Sequence, residues 1–190
     1  MKHLIISLKL IILTIAVCCI AYPAFIYAVA QICTPYTANG WLLTDKAGKV
    51  TGSEIIAQAF TQDKYFQPRP SAADYNASSA GGSNLSPNNP AVAGRARTLI
   101  ARFKADEKNK LPSDLATTSG SGLDPHITME AALFQAGRVA DARKMPVEKI
   151  KEILNKNAIR ANPFGDETRL INVLMVNREL DSSGAEYNFK

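Results

Sequence analysis

The sequence predicts a single N-terminal transmembrane helix followed by one small α+β (mixed α/β) domain. Three observations carry this reading. Leu10 to Ala30, LIILTIAVCCIAYPAFIYAVA, contains no charged residue; as a helix it would reach roughly 31 Å, about the thickness of a bilayer's hydrocarbon core. Downstream, apolar residues recur at helical spacing in three stretches. Near the end, LINVLMV is a short branched apolar run of strand length. The expected division is a cytoplasmic N-terminus over 1–9, a membrane helix over 10–32, an extracytoplasmic domain over 33–180 and a C-terminal tail over 181–190.

Lys2 and Lys9 precede the apolar run with no acidic residue beside them, so the positive-inside rule places the N-terminus in the cytoplasm and the rest of the chain outside. Ala28 and Ala30 form the A-x-A pattern of a signal-peptidase site. The apolar core of a signal peptide is only about 7–15 residues, however, so a retained anchor is expected. Pro23 removes a backbone donor inside the span, which predicts a kink. Tyr27, Tyr36 and Trp41 mark the far interface, where amphipathic aromatics favour the headgroup level.

The chain has 190 residues and a net charge of +5. Setting aside Lys2 and Lys9 leaves 20 basic against 17 acidic residues, a net +3 that is too mild to argue for nucleic acid. Cys18, Cys19 and Cys33 all lie in or beside the span, so the domain has neither a disulfide framework nor a thiolate zinc site. Val17 precedes Cys18 where a lipidation motif wants Gly or Ala, and the cysteines read as small apolar residues.

Beyond the anchor, Trp41 to Leu43, a turn near Gly48 and then Val50 suggest a short hairpin or an extended entry. Ser53 as an N-cap, with Ile56, Ala59 and Phe60 on one face, predicts a short helix. From Thr61 to Pro90 the periodicity disappears into Ser, Asn, Gly, Pro and Ala, and a connection this long implies disorder or a functional surface. Tyr65, Phe66, Tyr75 and Leu85 are spaced to pin it down.

Asn89 and Pro90 form a cap pair before Val92, Ala96, Leu99, Ile100 and Phe103, with Arg95, Arg97, Arg102 and Lys104 as a solvated face, and the helix ends in DEKNKLP. Thr128 caps a helix whose core face is Met129, Ala132, Leu133, Ala136, Val139 and Ala140; Gln135 reads as a solvated or interface amide. A further helix from Pro146 buries Val147, Ile150, Ile153 and Leu154 and carries a Glu152–Lys156 pair. The chain then crosses NPFGDETR into a buried strand, Leu170 to Val176.

Catalytic motifs are sparse. There is no G-x-x-x-x-G-K-[ST] phosphate loop, Gly120 and Gly122 make no dinucleotide fingerprint, and DKAG at 45–48 lacks the threonine of the phosphorylatable P-type ATPase motif. Asp124 and His126 could place a carboxylate beside an imidazole general base, as in a membrane-anchored hydrolase, or form a local turn. His3 is the only other histidine, so no His-rich metal site is expected. A stand-alone binding domain is a third possibility.

Seven blocks then appear in order: Asn39-Gly40, GSEIIAQAF, YFQPRPSA (Tyr65 to Ala72), SAGGSNLSPNNP, TSGSGLDPHIT, the QxxRVAxAR run from Gln135 to Arg143, and NVLMVN (Asn172 to Asn177). Together they resemble the KdpC family of the bacterial Kdp potassium-transporting P-type ATPase, from the anchor to about Leu180. The resemblance implies a non-catalytic, single-span accessory subunit of that complex in the bacterial inner membrane. Its implied partners are the potassium-channel-like subunit, the ATP-hydrolysing subunit and a small single-span subunit, within membrane lipid. It implies no cofactor of the chain's own; ATP, Mg and K+ belong to the complex. The domain would sit over the channel-like subunit and cap the outer potassium entrance.

A nucleotide-sensing role proposed for the family would map onto Ser119, Gly120, Ser121, Gly122 and Gln135, and the topology read from Lys2 and Lys9 opposes it. The partner-facing candidates are Arg69, Pro70, Ser71, Tyr75, Gly82, Ser83, Asn84, Asp124, Pro125 and His126, in the loops 67–90 and 119–128.

Overall fold

The N-terminal run is helical because almost every residue from Leu10 to Ala30 is apolar, and the lone proline is absorbed without ending the helix. The computed structural model describes residues 2–45, 47–162, 165 and 167–187 and divides into two units, Met1–Thr51 and Gly52–Lys190. In the first, α1 (Lys2–Ile15), a π-helical segment (Ala16–Ala21) and α2 (Tyr22–Cys33) form one continuous helix, long and apolar enough to cross a membrane and with none of its surface buried in protein. The disturbance expected at Pro23 takes the form of the π segment just before it. There the Tyr22 N–H reaches back five residues to the Val17 carbonyl, widening the turn that the proline ring would otherwise crowd.

The helix gives way at Thr34 to a single turn, α3 (Pro35–Ala38), where the Asn39 amide pairs with the Gln31 amide at 3.2 Å and the Tyr36 and Trp41 rings meet at 5.3 Å. The expected hairpin is present as β1 (Leu42–Thr44) and β2 (Val50–Ser53), paired in one small sheet. Asp45 organises its turn by accepting from the Ala47 and Lys49 N–H groups, and Gly48 takes a positive φ of 77°. Lys46, part of the DKAG turn, lies outside the described residues.

The second unit begins with a correction. No helix follows Ser53: it is the last residue of β2, its hydroxyl accepts from Ile55 N–H, and the Ala57 N–H is taken by the Leu123 carbonyl. An eight-residue amphipathic stretch cannot nucleate a helix unaided, and here its backbone is recruited into a turn.

Three helices pack on a three-stranded antiparallel sheet. The helices are α6 (Met129–Arg143), α7 (Val147–Lys156) and α8 (Val173–Tyr187). The sheet places β5 (Arg169–Asn172) between β3 (His126–Thr128) and β4 (Ala158–Arg160), with Ile171 opposite both Ile127 and Ala158. Ile127 and Ile171 join Ala132, Ala136, Val139, Ile150, Leu154, Val173, Val176 and Leu180 in the core. Pro163, Phe164 and Asp166, between β4 and β5, lie outside the described residues, as do 188–190 of the tail.

The apolar run Leu170 to Val176 is therefore not one strand. Asn172 ends the strand and caps the next helix by accepting from the Met175 N–H at 3.2 Å. Val173, Val176, Asn177 and Leu180 then recur at helical spacing and are all buried.

Two details of the predicted helices also change. Leu133 points outward, its place on the inner face of α6 taken by Ala131 and Gln135. Lys156 bonds Glu179 across to α8 at 2.7 Å and Glu152 bonds Lys149, so the Glu152–Lys156 pair does not form.

Upstream, α4 (Pro90–Phe103) starts as expected, the Asn89 side chain accepting from the Ala91 N–H at 2.9 Å, and stops at left-handed Lys104. A short α5 (Ser113–Ala116) buries Leu115, and its Asp114 accepts from the Thr128 N–H at 2.7 Å.

Leu154→Ala is expected to cost about 2–5 kcal/mol, as deletion of a buried leucine side chain does, whereas Leu133→Ala should cost only about 0.5 kcal/mol or less, as surface changes do. Urea unfolding of the full chain in mild detergent, followed by circular dichroism, separates the two.

Candidate docking surface

The long polar segment after Thr61 contains no helix or strand, yet its start is held as firmly as a strand. Phe66 is fully buried in the core. Its own backbone pairs with a side chain: Asn177 of α8 accepts from the Phe66 N–H at 2.9 Å and donates to the Phe66 carbonyl at 3.0 Å. One residue on, Gln135 of α6 does the same for Gln67, at 2.9 and 3.1 Å. In an extended chain the N–H and C=O of one residue point to one edge and those of the next residue to the other, so the two carboxamides grip the segment from opposite edges.

Arginines complete the strap. Arg138 donates to the carbonyls of Asp63 and Tyr65 and to the Gln135 side-chain oxygen, and Arg143 donates to the Lys64 carbonyl and to Asp181. Five successive carbonyls, 63 to 67, thus accept from side chains of α6 and α8.

Gln135 is therefore not the solvated amide its sequence position suggested. It is 1% exposed, and the Gln67 N–H and Arg138 occupy its oxygen while the Gln67 and Ala131 carbonyls occupy its nitrogen. All four hydrogen-bonding valences are used, leaving none for a nucleotide.

Beyond the strap, the two predicted loops interlock. Ser119 N–H bonds the Pro70 carbonyl at 2.9 Å and Gly81 N–H bonds the Ser121 carbonyl at 2.7 Å. Ser71 donates to the Gly122 carbonyl at 2.6 Å and accepts from Ala73 and Tyr75 N–H groups. Arg69 reaches Thr117 and the Thr118 carbonyl, and the Tyr75 hydroxyl donates back to the Arg69 carbonyl. Burial raises the Tyr75 phenol above its usual value. At Gly122 (φ +71°) a Cβ would stand 2.7 Å from the Gly81 carbonyl, and at Gly82 one would stand 2.9 Å from the Gly120 carbonyl, so glycine is what lets the loops approach.

The predicted partner-facing residues accordingly separate. Arg69, Pro70, Ser71 and Tyr75 hold the loops together, and Pro125 is buried with its carbonyl accepting from the Val173 N–H. Ser83 is half-buried, while Asn84 is exposed with the stretches 76–80 and 85–88, and Gly120 and Ser121 are exposed beside Gly81.

Asp124 and His126 form the local turn. One Asp124 carboxylate oxygen accepts from the His126 backbone N–H at 3.0 Å and lies 2.9 Å from the ring Nδ1. That ring hydrogen bond holds the Asp124 carboxyl below its ordinary value, against the opposing effect of burial. His126 borders a cavity of about 260 Å³ with Glu54, Lys156, Asn157, Ala158, Ile159, Asn172 and Met175, a lining without hydroxyl or thiol. Among the described residues no group of three or more His, Cys, Asp or Glu is placed to hold a metal ion.

Asn177, Arg138 and Arg143 were missed from sequence as structural side chains. Their signal was there: Asn177 sits on the apolar stripe of its helix, where a polar residue must find buried partners.

Three of the resembling blocks, YFQPRPSA, QxxRVAxAR and NVLMVN, meet in this strap, and SAGGSNLSPNNP meets TSGSGLDPHIT in the loop interlock. Comparison with known families gives the same direction: residues 4–182 match the family described as KdpC, K+-transporting ATPase, c chain. The chain belongs to the KdpC family. The Potassium-transporting ATPase KdpC subunit of Parvibaculum lavamentivorans is 45% identical over 181 residues, covering 95% of this chain and 97% of the relative. The KdpC subunits of Pseudomonas savastanoi pv. phaseolicola (43%, covering 92% and 90%) and Pseudomonas aeruginosa PAO1 (42%, covering 85% and 86%) are similar over most of their lengths.

Within this KdpC fold, Asn177→Leu keeps the approximate volume but leaves the Phe66 N–H and carbonyl buried and unpaired; each orphan costs about 1–3 kcal/mol. Stability in urea should fall accordingly, and trypsin should cut after Lys64 faster than in wild type. The depressed Asp124 carboxyl stabilises the fold above its unfolded-state pKa and loses that contribution as pH falls through the folded-state value. Thermal melts at descending acid pH should therefore drop more steeply for wild type than for Asp124→Asn.

Proposed function

We propose that this chain is a non-catalytic accessory subunit of an ATP-driven potassium-uptake complex. Its apolar helix lies in the bacterial inner membrane as a single pass, with Lys2 and Lys9 on the cytoplasmic side, and its domain lies on the outer face. There the domain assembles with the channel-like subunit, caps its potassium entrance and stabilises its association with the ATP-hydrolysing subunit and with a small single-span subunit. ATP, Mg and K+ are used by the complex, and the chain contributes no cofactor site of its own.

Family membership over residues 4–182 supports the assignment to a potassium-transporting ATPase. The observation that carries the role is the loop interlock. Ser119, Ser121 and Gly122 are bonded to Pro70, Gly81 and Ser71, which fixes two polar loops against each other and leaves 76–80 and 84–88 exposed. Backbone ordered by glycine and hydrogen bonds, with polar stretches left exposed beside it, is what a docking surface requires.

A tagged full-length chain extracted in mild detergent should recover a large multi-span subunit and a P-type ATPase subunit, identified by mass. Asn84→Lys with Leu85→Asp, both on the exposed stretch, should lower that recovery about tenfold, a loss of ~1.4 kcal/mol; unchanged recovery would remove the loop from the interface. With Cys18, Cys19 and Cys33 replaced by Ala and Ser79 by Cys, a membrane-impermeant maleimide should label intact spheroplasts, and labelling only after lysis would reverse the topology.

A further inference from the structure

Between α4 and the strapped segment, with Pro70, Ser71 and Tyr75 of the first loop at its rim, lies a cavity of about 240 Å³. Its walls are Phe60, Pro68, Leu99, Phe103 and Leu115, with Tyr75 and Arg102 among its polar groups. Phe103 is held in place by the Phe134 ring, 6.1 Å away and edge-on, and by the Arg138 guanidinium at 6.0 Å. Pro68 and Gln67 are fixed by the strap, so this side of the cavity is rigid before anything binds.

The other side is different. No residue of α4 is buried, although the helix carries Leu99, Ile100 and Phe103 on one stripe. An amphipathic helix whose apolar stripe is left half-covered is completed by something else.

Charge and size say what that is. α4 contains Arg95, Arg97 and Arg102 and no acidic residue, and Arg102 makes no ion pair among the described residues. Arg138 lies close enough to feel it: burial holds the Arg138 guanidinium below its usual value, and the Arg102 charge adds to that effect while Asp63 opposes it. Asp63 is taken up by Arg138 at 3.8 Å and Asp74 acts on the Tyr75 phenol, which leaves the Arg102 guanidinium as the charge on the α4 side of the cavity. Small-molecule sites typically run about 300–1,000 Å³, so a cavity of about 240 Å³ suits one large side chain and not a nucleotide.

We propose that this cavity is an anchor pocket for a partner subunit of the complex, taking one aromatic or aliphatic side chain between Phe60, Leu99 and Phe103 while an adjacent Asp or Glu of the same partner segment pairs with the Arg102 guanidinium. The proposal rests on the accessory-subunit reading and names the chemistry by which the subunit grips. A buried apolar anchor beside a charge pair is the usual composition of an interface hot spot.

The test uses the full-length chain in the assembled complex, with the photocrosslinking amino acid p-benzoylphenylalanine in place of Ala59 at the cavity lip. The expected product is a crosslink to a partner subunit within a few residues of an Asp or Glu. Arg102→Glu should lower partner recovery about thirtyfold, the lower end for breaking a partly desolvated charge pair. Reversing the crosslinked acid to Lys should restore recovery, and Leu99→Trp, which fills the cavity without touching the charge, should also lower it.

A normal thermal melt for Arg102→Glu separates lost docking from lost folding. The proposal is overturned if the wild-type complex is recovered but position 59 crosslinks only to lipid, to a second copy of this chain or to a segment without an acid. Unchanged recovery by Arg102→Glu overturns it equally. If the wild-type chain recovers no partner at all, the accessory reading falls first and this proposal with it.

Discussion

The constraint at the centre of the domain is a pair of buried carboxamides that hold the backbone of two consecutive residues, Phe66 and Gln67. Asn177 and Gln135 replace the neighbouring strands that an extended segment normally needs, and they do so from two different helices. An exchange of protein–water for protein–protein hydrogen bonds contributes only about 1 kcal/mol each. The constraint is severe because the alternative is a buried, unpaired backbone group. That asymmetry lets so few residues position Phe66 in the core and fix the direction in which the polar chain leaves it.

From this fixed point the route to function is short. The segment leaving Gln67 runs past Pro68 and Pro70 to the serine and glycine contacts with 119–122, so loops that look disordered by composition are ordered by backbone-to-backbone bonds. Their polarity is retained at the surface, where a partner would read it. On the other flank the same strap forms one wall of the cavity under α4. One structural device thus positions both the polar loops and the apolar pocket.

Much of this was legible in the sequence, and the failures share a cause. The apolar helix, the hairpin at Gly48, the caps at Asn89 and Thr128 and the helix from Pro146 all rest on local chemistry, and local chemistry is written in adjacent residues. The helix expected at Ser53 and the strand expected through Val176 failed where tertiary partners entered: Leu123 took the Ala57 N–H, and the Pro125 carbonyl took the Val173 N–H at the point where the chain leaves the strand for a helix. Gln135 was misplaced because its polarity was given more weight than its spacing. It falls four residues after Ala131 and four before Val139, on the inner face. The site candidates lie in two loops that bond each other, but which of them face outward was set by the interlock of two distant segments, and no single stretch encodes that.

The most direct measurement is amide hydrogen exchange of the full-length chain, read at the Phe66 and Gln67 N–H groups. The account predicts that both exchange as slowly as Ile127 and Ile171 in the core sheet, through global unfolding, while 76–80 exchange rapidly. If Phe66 and Gln67 exchange at the rate of the exposed loop, the carboxamide strap is not what holds the domain together.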